Sequence, residues 1–219
     1  MSNPNVEGIL VLKDIQTILK REGLYRGSID GLPGPMTEAA LEALEADARS
    51  EYKASKTAGQ KPLPIPPVVG MPDERSAKHI ASLHAIVRPH ATAFIVKLNK
   101  RVSQYGITAK IIEGHRTYEE QNALYAQGRT RPGKRVTNAR GGYSNHNFGV
   151  AFDIGLFRGS DYLEDSPYYK HVGVVAHEMN LVWGGDWPNF VDEPHVEYPT
   201  GLSLAQMRQR VAEGKSVIA

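Results

Sequence analysis

The chain has 219 residues, 41% hydrophobic and 23% charged, with a net charge of +2, a balance that suits a soluble protein of one large domain or two smaller ones. It contains no cysteine, which excludes disulfide scaffolding and thiolate metal sites and leaves any zinc to His, Asp or Glu. Charge is uneven: residues 1–49 carry five basic and eight acidic side chains against 21 and 16 in the rest, so two units are expected, the second suited to an anionic polymer.

No dense Lys/Arg stripe interleaves with aromatics, so nucleic acid is not the expected partner. No apolar run approaches the ~20 residues of a membrane helix, and no stable membrane insertion is expected. The opening Met1-Ser2-Asn3-Pro4-Asn5-Val6-Glu7 lacks the basic start and apolar core of a secretory signal. A monomer made in the cytoplasm is the expectation.

In chain order, Val11, Ile15, Ile18 and Leu19 recur at helical spacing, with Gly23 as a stop. A turn-rich passage, Leu24 to Gly31, follows with an Asp30-Gly31 signal. Thr37 is then expected to cap a second helix to about Ala48, with Ala40, Leu41 and Leu44 on one face. Gln16 in the first helix, Gly23-Leu24-Tyr25-x-Gly27-x-Ile29-Asp30-Gly31 and Gly34-x-x-Thr37 together resemble the peptidoglycan-binding domain type 1 family. That resemblance implies a small helical wall-binding domain over residues 1–49. Residues 50–74 read as a semi-rigid linker, ending in Pro62-Leu63-Pro64-Ile65-Pro66-Pro67.

Residues 75–219 form the second unit. One long amphipathic helix is expected from about Asp73 or Glu74 to Val102, with Ile80, Leu83, Val87, Phe94 and Leu98 facing the core and Pro89 kinking or dividing it. His79, His84 and His90 on it read as surface or packing residues. A strand from Ile107 leads to Glu113-Gly114-His115-Arg116-Thr117, where Thr117 can cap a helix carrying Gln121, Leu124 and Tyr125. Gly128 to Gly142 is a Gly- and Arg-rich loop long enough to wall a groove. Val150, Phe152 and Ile154 alternate with Ala151, Asp153 and Gly155 in a buried strand. A helix over about Tyr168–Met179, a strand over Asp192–Tyr198 and a terminal helix from Ser203 complete the chain.

The chemistry centres on Ser144 to Asp153. A carboxylate in a buried strand must be paired, hydrogen-bonded or bound to metal. His146, just before the strand, adds a neutral imidazole, and the strand-borne His195 is the most plausible third ligand. Three protein ligands leave one zinc position for water, the mark of a catalytic site, and the ion brings that water's pKa to about 7. A general base off the metal is then needed: Asp192 first, Glu193 second. Glu197 shares a face with His195 and can fix its ring. Arg116, at a strand end, can stabilise an oxyanion. Ser144 can meet substrate or a ligand; a Ser144–His146 nucleophile pair lacks any accompanying oxyanion motif. Singly these residues also have structural readings: Asp153 capping a turn, His195 packed in a core, Arg116 paired with Glu113.

Together the words Glu113-Gly114-His115-Arg116-Thr117-x-x-x-Gln121-x-x-Leu124-Tyr125, Ser144-x-His146-x-x-Gly149-x-Ala151-x-Asp153, Trp183-Gly184-Gly185-Asp186-Trp187 and Asp192-x-Pro194-His195-x-Glu197 resemble the M15 metallopeptidases. This group comprises D-Ala-D-Ala carboxypeptidases and L-alanyl-D-glutamate endopeptidases. The resemblance implies Zn2+ on His146, Asp153 and His195, Asp192 as base, Arg116 as transition-state stabiliser, and Ser144 and Gln121 at the substrate. It implies an α+β fold, a small antiparallel sheet flanked by helices that holds the zinc. The Gly128-Arg129-Thr130 loop and the Trp-Gly-Gly-Asp-Trp word look most like the endopeptidase branch, phage endolysins included. The expectation is a modular hydrolase of bacterial peptidoglycan. The alternatives are a D,D- or L,D-carboxypeptidase of the same fold and a non-catalytic wall-binding protein.

Overall fold

In the computed structural model, residues 12–13, 16–17, 19–20, 25–32, 34–41, 43, 63–67, 70–188 and 190–218 are described. The expectations for Val11, Ile15, Ile18, Gly23 and Leu44, and for the linker before residue 63, lie outside them.

At the N-terminal end Gln16 is fully buried, and its side-chain amide is the hub of the segment. It accepts from Gly31 N–H (2.8 Å) and donates to Asp30 Oδ1 (2.9 Å), Leu32 O (3.1 Å) and Thr37 Oγ1 (3.2 Å). A buried amide needs these partners, so one side chain welds the Asp-Gly turn to both helical stretches. The second stretch starts earlier than expected. Residues 35–41 are helical, and Glu38 N–H donates to Gly34 O, so Gly34 caps the helix with Pro35 in its first position. Thr37 lies within that helix and serves Gln16. Leu19, Tyr25, Ala40 and Ala43 bury together, with Tyr143 of the second unit against them.

The apolar stripe of the second unit forms two helices, divided earlier than at Pro89. Helix α1 (Glu74–Ser82) is capped by Asp73, whose carboxylate accepts from Ser76 N–H, and α2 runs Val87–Val102. Pro89 sits in the first turn of α2, where its missing N–H costs no intrahelical bond. The break falls before it, at Leu83–Ile86, where His84 N–H turns away to donate to Gly149 O (2.9 Å). Ile80, Leu83, Val87, Phe94 and Leu98 are all buried in the main core. Leu63 packs on that core too, and its N–H donates to Tyr198 Oη (2.9 Å).

These helices pack on an antiparallel sheet of β1 (Thr108–Glu113), β2 (Ala151–Arg158), β3 (Asp161–Tyr162), β4 (Val182–Trp183) and β5 (His195–Glu197). The order is β1-β2-β5-β4, with β3 hairpinned onto β2. Helix α3 (Tyr118–Ala126) follows β1 and starts in a capping box of Thr117 and Glu120. Helix α4 (Lys170–Glu178) precedes β4, and α5 (Leu204–Ala212) closes the chain behind a second capping box, Ser203 with Gln206. The strand read over Asp192–Tyr198 is shorter, because residues 192–194 turn into it. On the exposed edge, Asn99 of α2 bonds both backbone groups of Ala109 with its side chain (2.8 and 2.9 Å). No helix among the described residues is long and apolar enough to cross a membrane.

Register places the chemistry. Asp153 pairs with His195 on one side and with Glu113 on the other, so three polar side chains lie abreast across β1, β2 and β5. The row depends on a bulge between Ile111 and Glu113, which brings Glu113 rather than Ile112 opposite Asp153.

Gly149 joins the His146 turn to β2 with φ +66°, and a Cβ there would lie 2.8 Å from His84 N. Gly149→Ala should therefore cost about 1–2 kcal/mol from left-handed backbone alone, and more from the clash. Urea unfolding of the two proteins measures it, and an unchanged midpoint would contradict the contact.

Candidate metal centre

His146 is carried by a one-turn 3-10 helix, Asn145–Phe148, that ends at Gly149 and feeds β2. Its Nδ1 faces Gly114 O at 2.8 Å, so the ring donates there and leaves the Nε2 lone pair pointing inward. His195 is oriented the other way round. Its Nε2 bonds the Glu197 carboxylate (3.1 Å), leaving Nδ1 inward. Asp153 Oδ1 lies between them.

Three ligand atoms, His146 Nε2, His195 Nδ1 and Asp153 Oδ1, thus converge on one point. The separations are 3.2 Å from His146 Nε2 to Asp153, 3.1 Å from His195 Nδ1 to Asp153 and 3.3 Å between the two nitrogens. A tetrahedral ion with bonds of about 2.0–2.1 Å spaces its donors about 3.3 Å apart. The set fits such an ion, and it is the metal-competent His/Asp cluster among the described residues.

Electrostatics agree. Burial opposes the protonated form of His195, but its hydrogen bonds to Asp153 and Glu197 and their charges prevail and lift it to about 10. For Asp153, burial disfavours the carboxylate, yet the charges and hydrogen bonds of His146 and His195 hold it well below the usual range.

Arg116 stands beside this cluster. Its Nη2 lies 4.0 Å from Asp153 Oδ2 and 3.5 Å from Glu113, so the expected pairing with Glu113 and the approach to Asp153 coexist. Its Nη1 donates to Gln121 Oε1 at 2.7 Å. Gln121 itself is 0% exposed, its Nε2 donating to Ala139 O (2.6 Å) and Thr137 Oγ1 (3.3 Å). Its amide is spent inside the protein, tying Arg116 to the 128–142 loop. That loop is built around Arg129, which donates to Tyr125 O, Thr137 O and Asn138 Oδ1 and stacks 4.0 Å over the Tyr125 ring.

Ser144, half-buried, precedes the 3-10 turn without capping it through its hydroxyl. Asp192 is half-buried on the turn into β5, with its N–H on Gly184 O and its carbonyl accepting from His195 N–H. A Cβ on Gly184 would clash with Asp192 O and lie 3.0 Å from His195 Cβ and 3.2 Å from Asp192 Cβ, so both residues pack closely against that glycine. Glu193 instead pairs with Lys170 at 2.8 Å.

Two contributors escaped the sequence reading. Asn147 is buried and clamps Gly142 N–H (2.9 Å) to Arg116 O (2.8 Å), and Asn145 reaches the Glu197 carboxylate. Their place in the Ser144–Asp153 word was visible, but Arg116 and Glu197 lie 31 and 52 residues away in the chain.

A peptidase M15 family profile, described as D-alanyl-D-alanine carboxypeptidase, matches residues 137–198, a span that contains His146, Asp153, Asp192 and His195. The peptidoglycan L-alanyl-D-glutamate endopeptidase CwlK of Bacillus subtilis (strain 168) is 39% identical over 127 residues, 53% of this chain and 74% of that protein. The crystal structure of the Serratia marcescens L-Ala D-Glu endopeptidase ChiX aligns with a TM-score of 0.39 at 22% identity, covering 57% of this chain and 86% of that one. The chain belongs to the M15 metallopeptidases.

Because Asp153 and Glu197 raise the pKa of His195 to about 10, metal and proton compete for it, and affinity should rise with pH through the neutral range. Calorimetric titration with Zn2+ near pH 7, in buffers of different ionisation enthalpy, should show release of about one proton per ion. No proton release would mean that His195 is already neutral.

Proposed function

We propose that this protein is a zinc-dependent peptidoglycan hydrolase that cuts the stem peptide at the L-Ala–D-Glu bond. The convergence of His146 Nε2, Asp153 Oδ1 and His195 Nδ1 at tetrahedral spacing is the observation that carries it. Identity to CwlK, named for L-alanyl-D-glutamate cleavage, favours that bond over the carboxypeptidase reaction in the family description.

His146, Asp153 and His195 would hold the zinc, which would supply Lewis-acid polarisation of the scissile carbonyl and lower the pKa of water. Asp192 takes the proton of the attacking water and returns it to the departing amine. Its position beside His195 against Gly184 supports this role, while the Lys170 pair occupies Glu193. Arg116 faces the charge that develops on the carbonyl oxygen, held in aim by Gln121 and Glu113. Gln121 thus serves substrate through Arg116 rather than by touching it. Ser144, at the mouth of the His146 turn, offers its hydroxyl to the peptide.

In this reading residues 1–49 bind the wall, residues 50–74 tether them and residues 75–219 cut. A cytoplasmic store released to the wall, as for a phage endolysin, fits this pairing of modules.

Digestion of purified peptidoglycan followed by mass spectrometry tests the reading. Glycan fragments bearing L-Ala alone, with peptides beginning at D-Glu, are expected; release of terminal D-Ala alone would point to a carboxypeptidase. Asp192→Ala should keep zinc and lose about 10²–10⁴-fold in turnover, whereas His146→Ala should lose both. A fully lytic Asp192→Ala protein would overturn the base assignment.

A further inference from the structure

Glu197 is a carboxylate only 4% exposed, and its cross-strand partners in the ladder are Ala151 and Val182. Burying a charge this way requires hydrogen bonds to its oxygens. Oε2 receives two: His195 Nε2 at 3.1 Å and the side-chain amide of Asn145. Asn145 is the residue immediately before His146 in the same 3-10 turn. Its own carbonyl is held by the N–H groups of Gly149 and Val150 (3.4 Å for the latter), so its backbone is fixed by the turn that enters β2. The small Ala151, opposite Glu197, leaves room for the amide to reach β5.

Resting on the metal-site reading above, we infer that Asn145 is a positioning residue for the metal centre, acting through Glu197 on His195. Its amide is a neutral donor, so it immobilises the carboxylate that faces His195 Nε2 without neutralising it. The His195–Glu197 bond decides which nitrogen of His195 faces the ion: Nε2 is engaged and Nδ1 is presented. The same contact also joins the segment that carries His146 to the strand that carries His195. The two imidazoles are therefore set by one hydrogen-bonded unit, and not only by the sheet.

The test is Zn2+ affinity, measured against a chromophoric chelator, with the visible spectrum of the Co2+-loaded protein as a second readout. Asn145→Ala and the isosteric Asn145→Asp should each weaken Zn2+ about 10–100-fold and shift the Co2+ bands, while far-UV circular dichroism stays that of the parent. Glu197→Gln should lose as much or more. The Asn145→Ala/Glu197→Gln double variant should be no weaker than Glu197→Gln alone, since Asn145 acts only through that carboxylate. Parent-like affinity and spectra in both Asn145 variants, or losses that multiply in the double variant, would overturn the inference. Failure of the parent protein itself to take up Zn2+ would instead overturn the metal-site reading.

Discussion

The pairing of Asp153 with His195 across β2 and β5 is the constraint on which the site depends. Alternation in β2 buries Phe152, Ile154 and Leu156 on one face and turns Asp153 to the other. A slip of one residue would put Phe152 or Ile154 opposite His195 and drive the carboxylate into the core, so the hydrophobic pattern locks the register of the polar pair. The cost of burying Asp153 is met by that lock. Its oxygen gains two imidazole neighbours that only this register supplies.

The remaining parts are held to this pair from outside the sheet. His84, at the break between α1 and α2, donates its backbone N–H to Gly149 O and thereby fixes the turn that aims His146. The bulge in β1 brings Glu113 alongside, Arg116 follows three residues on, and Asn147 returns from the His146 turn to hold the Arg116 carbonyl. Gln121 then ties the guanidinium to the long loop. Each imidazole has its own outer partner, Gly114 O for His146 and Glu197 for His195, which sets its ring orientation.

Much of this could be read from the sequence, for physical reasons that differ by residue. The β2 alternation, the Thr117–Glu120 capping box and the cluster of His146, Asp153 and His195 follow from local spacing and from what a buried carboxylate requires. Local spacing could not tell which way Gln121 faces: it reads as a polar helix residue open to substrate until the 128–142 loop folds back over it. Nor could it locate the α1–α2 break, which a tertiary bond from Gly149 sets rather than Pro89. Thr37 looked like a helix cap because its hydroxyl suits one, whereas Pro35 and Gly34 start that helix and a buried Gln16 claims the hydroxyl. Spacing from His195 ranks Asp192 before Glu193 as a base, and only the fold shows that Glu193 pairs with Lys170.

Anomalous diffraction at the zinc edge, from crystals of the Zn2+-loaded protein, tests the central claim most directly. One peak is predicted, about 2.0–2.2 Å from His146 Nε2, His195 Nδ1 and an Asp153 oxygen, with Glu197 still on His195 Nε2. A peak bonded to His195 Nε2, or no peak within reach of all three side chains, would contradict the account.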